Sequence, residues 1–352
     1  MELTLDESFF GKLYPYVVDP DITDIRWNGR ALWIEHLKKG RFKTDDILDE
    51  SFLKIMTQRI ATLQNVNFNA SESSLEASTD QLRIHAIHPF RIGEKKTILA
   101  IRKTPTIARI TDESMIETKY ADEKVRALLG ALVRAHCSGI IIGDTGAGKT
   151  ELEKYLAKFI PDNEVCITVE DTLELKLSEL YPQKDIISIR VDKDYTYEMA
   201  IRDALRNDTK NLWIAEARSR EIARILEGAS TGCCCWTTLH TPNVWDIPDR
   251  VVQMAGKDEN GSDFENDVYS FFDVGIRVRK DVTSQGVFRK IDQICFFDRT
   301  NRENHTIVFM KNGQFTHEEL PLNLVNEFIR NKEIPLLKML RDIGGVISYE
   351  ER

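Results

Sequence analysis

The stretch GIIIGDTGAGKTELEKYL, residues 139–156, puts a short run of isoleucines directly against a glycine-rich turn that ends on Lys149 and Thr150. A continuously apolar run without alternation marks a strand buried on both faces. Leu152, Tyr155, Leu156, Phe159 and Ile160 then recur at helical spacing, so the turn joins a buried strand to a helix. Residues 143–150, GDTGAGKT, match G-x-x-x-x-G-K-T, the phosphate-binding loop. Glycines at 143, 146 and 148 let successive backbone N–H groups point at one anion, and the positive end of the helix dipole adds to them. The loop is expected to hold ATP through Gly143, Asp144, Thr145, Gly146, Ala147, Gly148, Lys149, Thr150 and Glu151. Lys149 would lie against the β and γ phosphates, and the Thr150 hydroxyl would ligate Mg2+.

The surrounding pattern agrees with such a loop. Short apolar runs at VCITVE, IISIRV, NLWIAE and CCCWTTL alternate with helix-like segments such as YTYEMAIRDALR and SREIARILEGAS. This rhythm predicts an α/β domain whose mainly parallel sheet is covered on both faces, over residues 122–352. Its tail, SFFDVGIRVRK, VFRKIDQICFF and HTIVFMKNG, reads as antiparallel strands before a closing helix from about Leu322. Residues 1–103 read as a smaller α+β domain, with a hairpin centred on Asn28-Gly29 and a helix carrying Phe52, Ile55, Met56, Ile60 and Leu63 on one face. Within it NASESSLEASTD is expected as a loop, and LRIHAIHPF and TILAIRK as strands. Residues 104–121 have little apolar periodicity and are expected to be a linker or a lightly packed arm.

Composition narrows the function classes. The 352 residues carry a formal net charge of -9, so no global cationic field exists to hold nucleic acid, and no direct nucleic-acid contact is expected. The longest apolar runs fall short of the roughly 18 residues of a membrane span, and the opening MELTLDESFF lacks the layout of a signal peptide. A cytoplasmic chain without a membrane span is the expectation. Its six cysteines include no C-x-x-C pairs of a zinc site, and the run Cys233, Cys234, Cys235 leads a strand-like segment, where packing is the expected role.

Hydrolysis at the loop needs carboxylates at the C-terminal ends of neighbouring strands. NLWIAE ends in Glu216, and CITVED ends in Glu170 and Asp171. GDTGAGKT, VEDTLEL, LWIAEARSREIARILEGASTG and TTLHTPN, in that order, together resemble the Walker A, Asp box, Walker B and His box of the type II and type IV secretion and pilus traffic ATPases. The EDT-x-EL form looks closer to the type IV secretion and tight-adherence pilus branch. SSLEASTDQLRIHAIHPF and ILAIRK resemble that branch's N-terminal domain. The resemblance implies a RecA-like ATP hydrolase acting as a homohexamer, peripherally associated with the cytoplasmic membrane through components of a secretion, conjugation or pilus assembly machine. It makes Glu216 the acid that polarises water, with Glu170 assisting, and Thr150, Asp171 and Glu216 the groups at Mg2+. His240 would approach the γ-phosphate, and Arg83, Arg102 and Arg218 are candidates for charge neutralisation; Arg91 reads as a solvated residue. Glu151 stands where the family usually has a small hydroxyl residue. A RecA-like nucleic-acid motor and a nucleotide-gated, non-hydrolysing scaffold remain open as other readings.

Overall fold

The computed structural model describes residues 6–218, 221–256 and 261–346, the side chains of 261–263 excepted. The chain divides into two compact units, residues 1–106 with 282–288, and residues 107–281 with 289–352.

The first unit opens with helices α1 (Glu7–Phe10) and α2 (Tyr14–Val18), followed by strands β1 (Ile22–Trp27), β2 (Leu32–His36) and β3 (Gly40–Lys43). Helix α3 (Glu50–Leu63) and strands β4 (Ser74–Ser78), β5 (Leu82–Ile87) and β6 (Ile98–Lys103) complete it. The six strands form one sheet in the order β3-β2-β1-β6-β5-β4, antiparallel throughout. The expected hairpin is present. Gly29 takes a positive φ of 88°, and the Asn28 side-chain oxygen accepts the N–H groups of Arg30 and Ala31 at 3.0 and 2.9 Å, the device that makes Asn-Gly a turn signal.

Two details differ from the sequence reading. The buried face of α3 is Leu53, Met56, Thr57, Ile60 and Ala61, and Ile55 is 60% exposed. The helix is rotated toward Leu53 because the stripe that meets the sheet includes a threonine and an alanine, which a count of large apolar residues passes over. The segment expected as a loop contains β4, whose alternation buries only Leu75 and Ala77. An edge strand needs a single buried face, and two small or medium apolar residues supply it.

The second unit runs through α4 (Asp112–Glu117), α5 (Glu123–Arg134), β7 (Gly139–Ile142), α6 (Lys149–Ala157), β8 (Cys166–Glu170), α7 (Leu177–Leu180), β9 (Ile186–Arg190) and α8 (Tyr197–Ala204). It continues with β10 (Asn211–Ile214), α9 (Glu221–Ser230), β11 (Cys234–Leu239), α10 (Ile247–Ala255), α11 (Gly261–Phe271), β12 (Val274–Thr283) and β13 (Gly286–Asp298). Strands β14 (His305–Lys311) and β15 (Gln314–Phe315) and helices α12 (Leu322–Arg330) and α13 (Ile334–Arg341) close it. Residues 219 and 220, which begin the segment SREIARILEGAS, lie outside the described residues. The 107–121 stretch is more ordered than its weak periodicity suggests. Thr111 and Ser114 form a reciprocal capping box at α4, and Met115 and Tyr120 enter the core. Serine rather than Glu or Gln at the third helical position hides that signal.

Nine strands share one sheet in the order β15-β14-β13-β12-β7-β11-β10-β8-β9. From β12 to β9 every pairing is parallel, and β13, β14 and β15 pair antiparallel. The expected parallel sheet is therefore one part of a mixed sheet. Residues along β7 alternate between two cores: Ile141 joins Val125, Leu152 and Trp236 on one face, while Ile140 and Ile142 join Leu212, Ile225 and Val251 on the other. Both faces are covered, as a parallel strand requires. Cys234 and Cys235 divide between the same two cores as free thiols, and burial raises the pKa of both above the usual thiol range.

Gly139 shows how tightly this centre is packed. A Cβ there would lie 2.4 Å from the Trp236 ring. Gly139→Ala should therefore destabilise the chain by about 1–3 kcal/mol, the usual range for overpacking. Urea unfolding followed by circular dichroism checks this, and an unchanged midpoint would show that the ring yields freely.

Candidate functional site

Strand β7 ends in a core where every residue is buried, and Gly143 leaves it with φ 150°. A Cβ on Gly143 would be 2.3 Å from the Val278 carbonyl oxygen, so glycine is needed for close approach of two backbones. Gly148 caps α6 in a left-handed conformation with φ 101°, again a glycine position. Between them Ala147 N–H donates to the Asp144 carbonyl at 3.0 Å, and Leu152 N–H to Gly148 at 3.1 Å. The N–H groups of Gly146, Gly148, Lys149 and Thr150 meet no acceptor among the described residues. Such a cluster of first-turn amides is the arrangement that accepts an anionic oxygen.

The Lys149 side chain folds back into the loop. Its Nζ donates to the Gly143 carbonyl at 2.9 Å and approaches His240 Nδ1 at 3.5 Å. Burial lowers its pKa from the ordinary lysine value, and the nearby Glu216, Glu153 and Asp144 oppose that shift. An ammonium has no lone pair, so Nδ1 of His240 must accept. The Nε2–H of the same ring then faces Glu216 Oε1, 3.0 Å away. The other Glu216 oxygen accepts from Arg218 at 2.8 Å, and Arg218 reaches Asp171 Oδ2 at 2.8 Å.

Lys149, His240, Glu216, Arg218 and Asp171 thus form one line of charge-assisted contacts. Lys149 opens α6 beyond the loop that follows β7, and the others follow the C-terminal ends of β11, β10 and β8; β7, β11, β10 and β8 are successive neighbours in the sheet. Parallel pairing puts those ends on one edge, where an open α/β sheet binds ligands. Both carboxylates hold the Arg218 guanidinium, and they raise its pKa.

Glu170 takes a different place from the one its sequence position suggests. It is fully buried, and one carboxylate oxygen accepts the N–H groups of Glu174 and Leu175 at 2.8 and 2.9 Å. It organises the turn after β8. Burial pushes its pKa up to about 7, against those two backbone bonds. Glu151 is also committed, accepting from Arg109 N–H at 3.0 Å and pairing with Lys154 at 3.2 Å. Glu153, which the sequence reading did not single out, is fully buried beneath the loop on α6, and neither of its carboxylate oxygens has a hydrogen-bond partner. Burial first, then the neighbouring Glu170, raises its pKa well above the carboxylate range.

Arg83 and Arg102 belong to the first unit, where they face each other across the β5–β6 pair. Arg102 Nε donates to Asp24 at 3.1 Å. Arg91 is exposed and donates to Ser73 Oγ at 3.0 Å, the solvated setting expected of it. No group of three or more His, Cys, Asp or Glu able to hold a metal exists among the described residues, and no helix among them is long and apolar enough to cross a membrane.

A glycine loop after a central strand, beside a row of charged and polar side chains on the carboxyl edge of a mixed sheet, defines the class as an α/β protein with its candidate site at that edge. The chain belongs to the Type II/IV secretion system protein family, whose pattern matches residues 32–316, and so to the secretion and pilus ATPase superfamily. It is 25% identical over 310 residues to an uncharacterised protein of Bacillus anthracis, covering 84% of this chain and 70% of that one. It is 28% identical over 162 residues to the type IV secretion system protein VirB11 of Bartonella quintana, covering 44% of each chain. The fold is similar to that of the Legionella pneumophila ATPase DotB, with a TM-score of 0.64, 18% identity and coverage of 98% of this chain and 95% of that one.

The raised Glu170 pKa has a consequence for stability. The folded state holds this proton up to about pH 7, while the unfolded chain releases it near the ordinary glutamate value of 4.5. Stability is therefore lost as pH rises from about 4.5 to about 7, by roughly 3 kcal/mol for this group, and is level above. Glu170→Gln should flatten that part of the stability–pH profile from chemical denaturation. An equally steep loss in the variant would remove Glu170 as its source.

Proposed function

We propose that the 143–150 loop binds ATP and that the chain hydrolyses it. The unmatched amides of Gly146, Gly148, Lys149 and Thr150 would take phosphate oxygens, and the Lys149 ammonium would leave the Gly143 carbonyl for the β and γ phosphates. The residues fit Mg2+, an oxygen-seeking cation: the Asp171 and Glu216 carboxylates are brought together on one guanidinium, and these two with the Thr150 hydroxyl would hold it. There it would neutralise charge on the transferring phosphoryl group.

Glu216 is the acid at the reaction. A water attacks the γ-phosphorus, its oxygen–phosphorus bond forms as the bond to the β-phosphate oxygen breaks, and the water proton passes to the Glu216 carboxylate. His240 holds the opposite oxygen of that carboxylate and reaches Lys149. The ring thus links loss of the γ-phosphate to the position of the acid. Arg218 fixes Glu216 and Asp171 relative to each other, which makes it a positioning residue of the edge. Arg83 and Arg102 are proposed to supply further positive charge from the first unit.

Family membership and the resemblance of all four motifs support a homohexameric motor that drives a secretion, conjugation or pilus assembly machine. It would work from the cytoplasmic side, held at the membrane by that machine's components. The observation that carries the catalytic reading is the unbroken line from Lys149 through His240 and Glu216 to Asp171. In a magnesium-dependent ATPase assay Glu216→Gln should lower kcat by roughly 100-fold or more while ATP still binds. Lys149→Ala should abolish binding. Turnover by Glu216→Gln at the native rate would reject Glu216 as the acid.

A further inference from the structure

Glutamine is a residue usually found at the surface, yet Gln293 is only 2% exposed in the middle of β13. Most of its neighbours along the strand, Ile291, Ile294, Cys295, Phe296 and Phe297, are buried and apolar. An apolar side chain of the same length would suit that core. A buried amide must be hydrogen-bonded, and both ends of this one are. Its Oε1 accepts the N–H of Val244 at 3.1 Å, and its Nε2 donates to Asn243 Oδ1 at 3.2 Å. Two residues on, the Cys295 thiol donates to the Val244 carbonyl at 3.7 Å. Strand β13 thus holds Val244 by both its N–H and its carbonyl.

Val244 ends the segment HTPNV, which starts at His240, the first residue after β11. In the sheet β11 and β13 are separated by β7 and β12. Three strand spacings amount to about 14 Å, and four residue steps of extended chain reach at most about 14 Å. The segment is extended: Asn243 has φ -136° and ψ 156°, and Pro242 disfavours a helical conformation at Thr241. A chain with so little slack transmits the position of one end to the other. Its far end is also locked locally, just before α10. There Asn243 Nδ2 donates to Asp246 Oδ2 at 2.8 Å, and the Asp246 N–H donates to the Asn243 carbonyl at 3.1 Å. At the near end the His240 ring lies 3.5 Å from Lys149 Nζ and 3.0 Å from Glu216 Oε1.

We propose that Gln293 is a positioning residue for hydrolysis: its buried amide anchors the 240–244 segment on β13 and thereby sets where the His240 ring stands between Lys149 and Glu216. The anchor rests on the reading of this edge as an ATP site. Gln293 acts through Val244 and Asn243, so its loss leaves the loop amides and Lys149 in place. Binding of ATP then persists while the Glu216 carboxylate loses its orientation.

A double-mutant cycle in the full chain separates this role from general destabilisation. Gln293→Met keeps the length of the side chain and removes its amide. In the magnesium-dependent ATPase assay it should lower kcat about tenfold, with the Kd for Mg-ATP from calorimetry within about twofold of native. His240→Ala should lower kcat by a similar or larger factor, and adding Gln293→Met to it should change kcat by less than about twofold. Asn243→Ala removes the acceptor of Nε2 without touching the core and carries the test should Gln293→Met not fold. It should lower kcat about threefold and be equally silent in the His240→Ala background. Native kcat in the folded variant, or an equal loss with and without His240, would overturn the anchor while leaving the ATP site intact. A native chain that does not hydrolyse Mg-ATP, or native turnover by His240→Ala, would overturn the reading of the edge, and the anchor with it.

Discussion

Burying an ammonium group is costly unless its charge is met, and the second unit is arranged around meeting that of Lys149. The loop carbonyl of Gly143 accepts one N–H, the His240 ring approaches a second, and three acids act on the ammonium through space. The partners come from several elements. Gly143 and Asp144 follow β7, His240 follows β11, Glu216 follows β10 and Glu153 lies on α6, the helix that Lys149 opens. The cation can stay buried only while strand order, glycine conformations and helix start are all in place. Fold and site are in this sense one constraint.

Strand order then sets the sequence of contacts. Because β7, β11, β10 and β8 are successive parallel neighbours, side chains leaving their carboxyl ends fall in the same succession, each about one strand spacing of 4.7–4.9 Å from the next. Side chains the length of His, Glu and Arg span that spacing. The row from Lys149 to Asp171 therefore follows from topology, although its members are separated by up to 91 residues along the chain between Lys149 and His240. A change at one end of the row has a direct mechanical route to the other.

Most of this was legible because it depends on local signals. The loop, the buried strand before it and the helix after it combine a motif with two periodicities, and Glu216, Asp171 and His240 were placed by strand-end position and family pattern. What was missed depends on context. Glu170 and Asp171 are adjacent in sequence, but Glu170 is the last residue of β8, buried and holding a turn, while Asp171, one residue past the strand, stands at the rim. The buried Glu153 is invisible because a glutamate on a helix usually faces water. Arg289 lies 143 residues from Gly146, whose carbonyl it reaches, and the strand order β13-β12-β7 brings it there. Strand β4 and the cap of α4 were obscured by small and polar residues performing roles that larger or more typical residues usually perform.

The central claim is that Lys149 is held in reserve on its own loop and exchanges the Gly143 carbonyl for phosphate. A crystal structure of the chain with Mg2+ and a non-hydrolysable ATP analogue measures this directly. The account predicts β and γ phosphate oxygens on the amides of Gly146, Gly148, Lys149 and Thr150, with Lys149 Nζ moved from Gly143 onto phosphate. A bound analogue whose phosphates lie elsewhere, with Lys149 Nζ still on the Gly143 carbonyl, would contradict it.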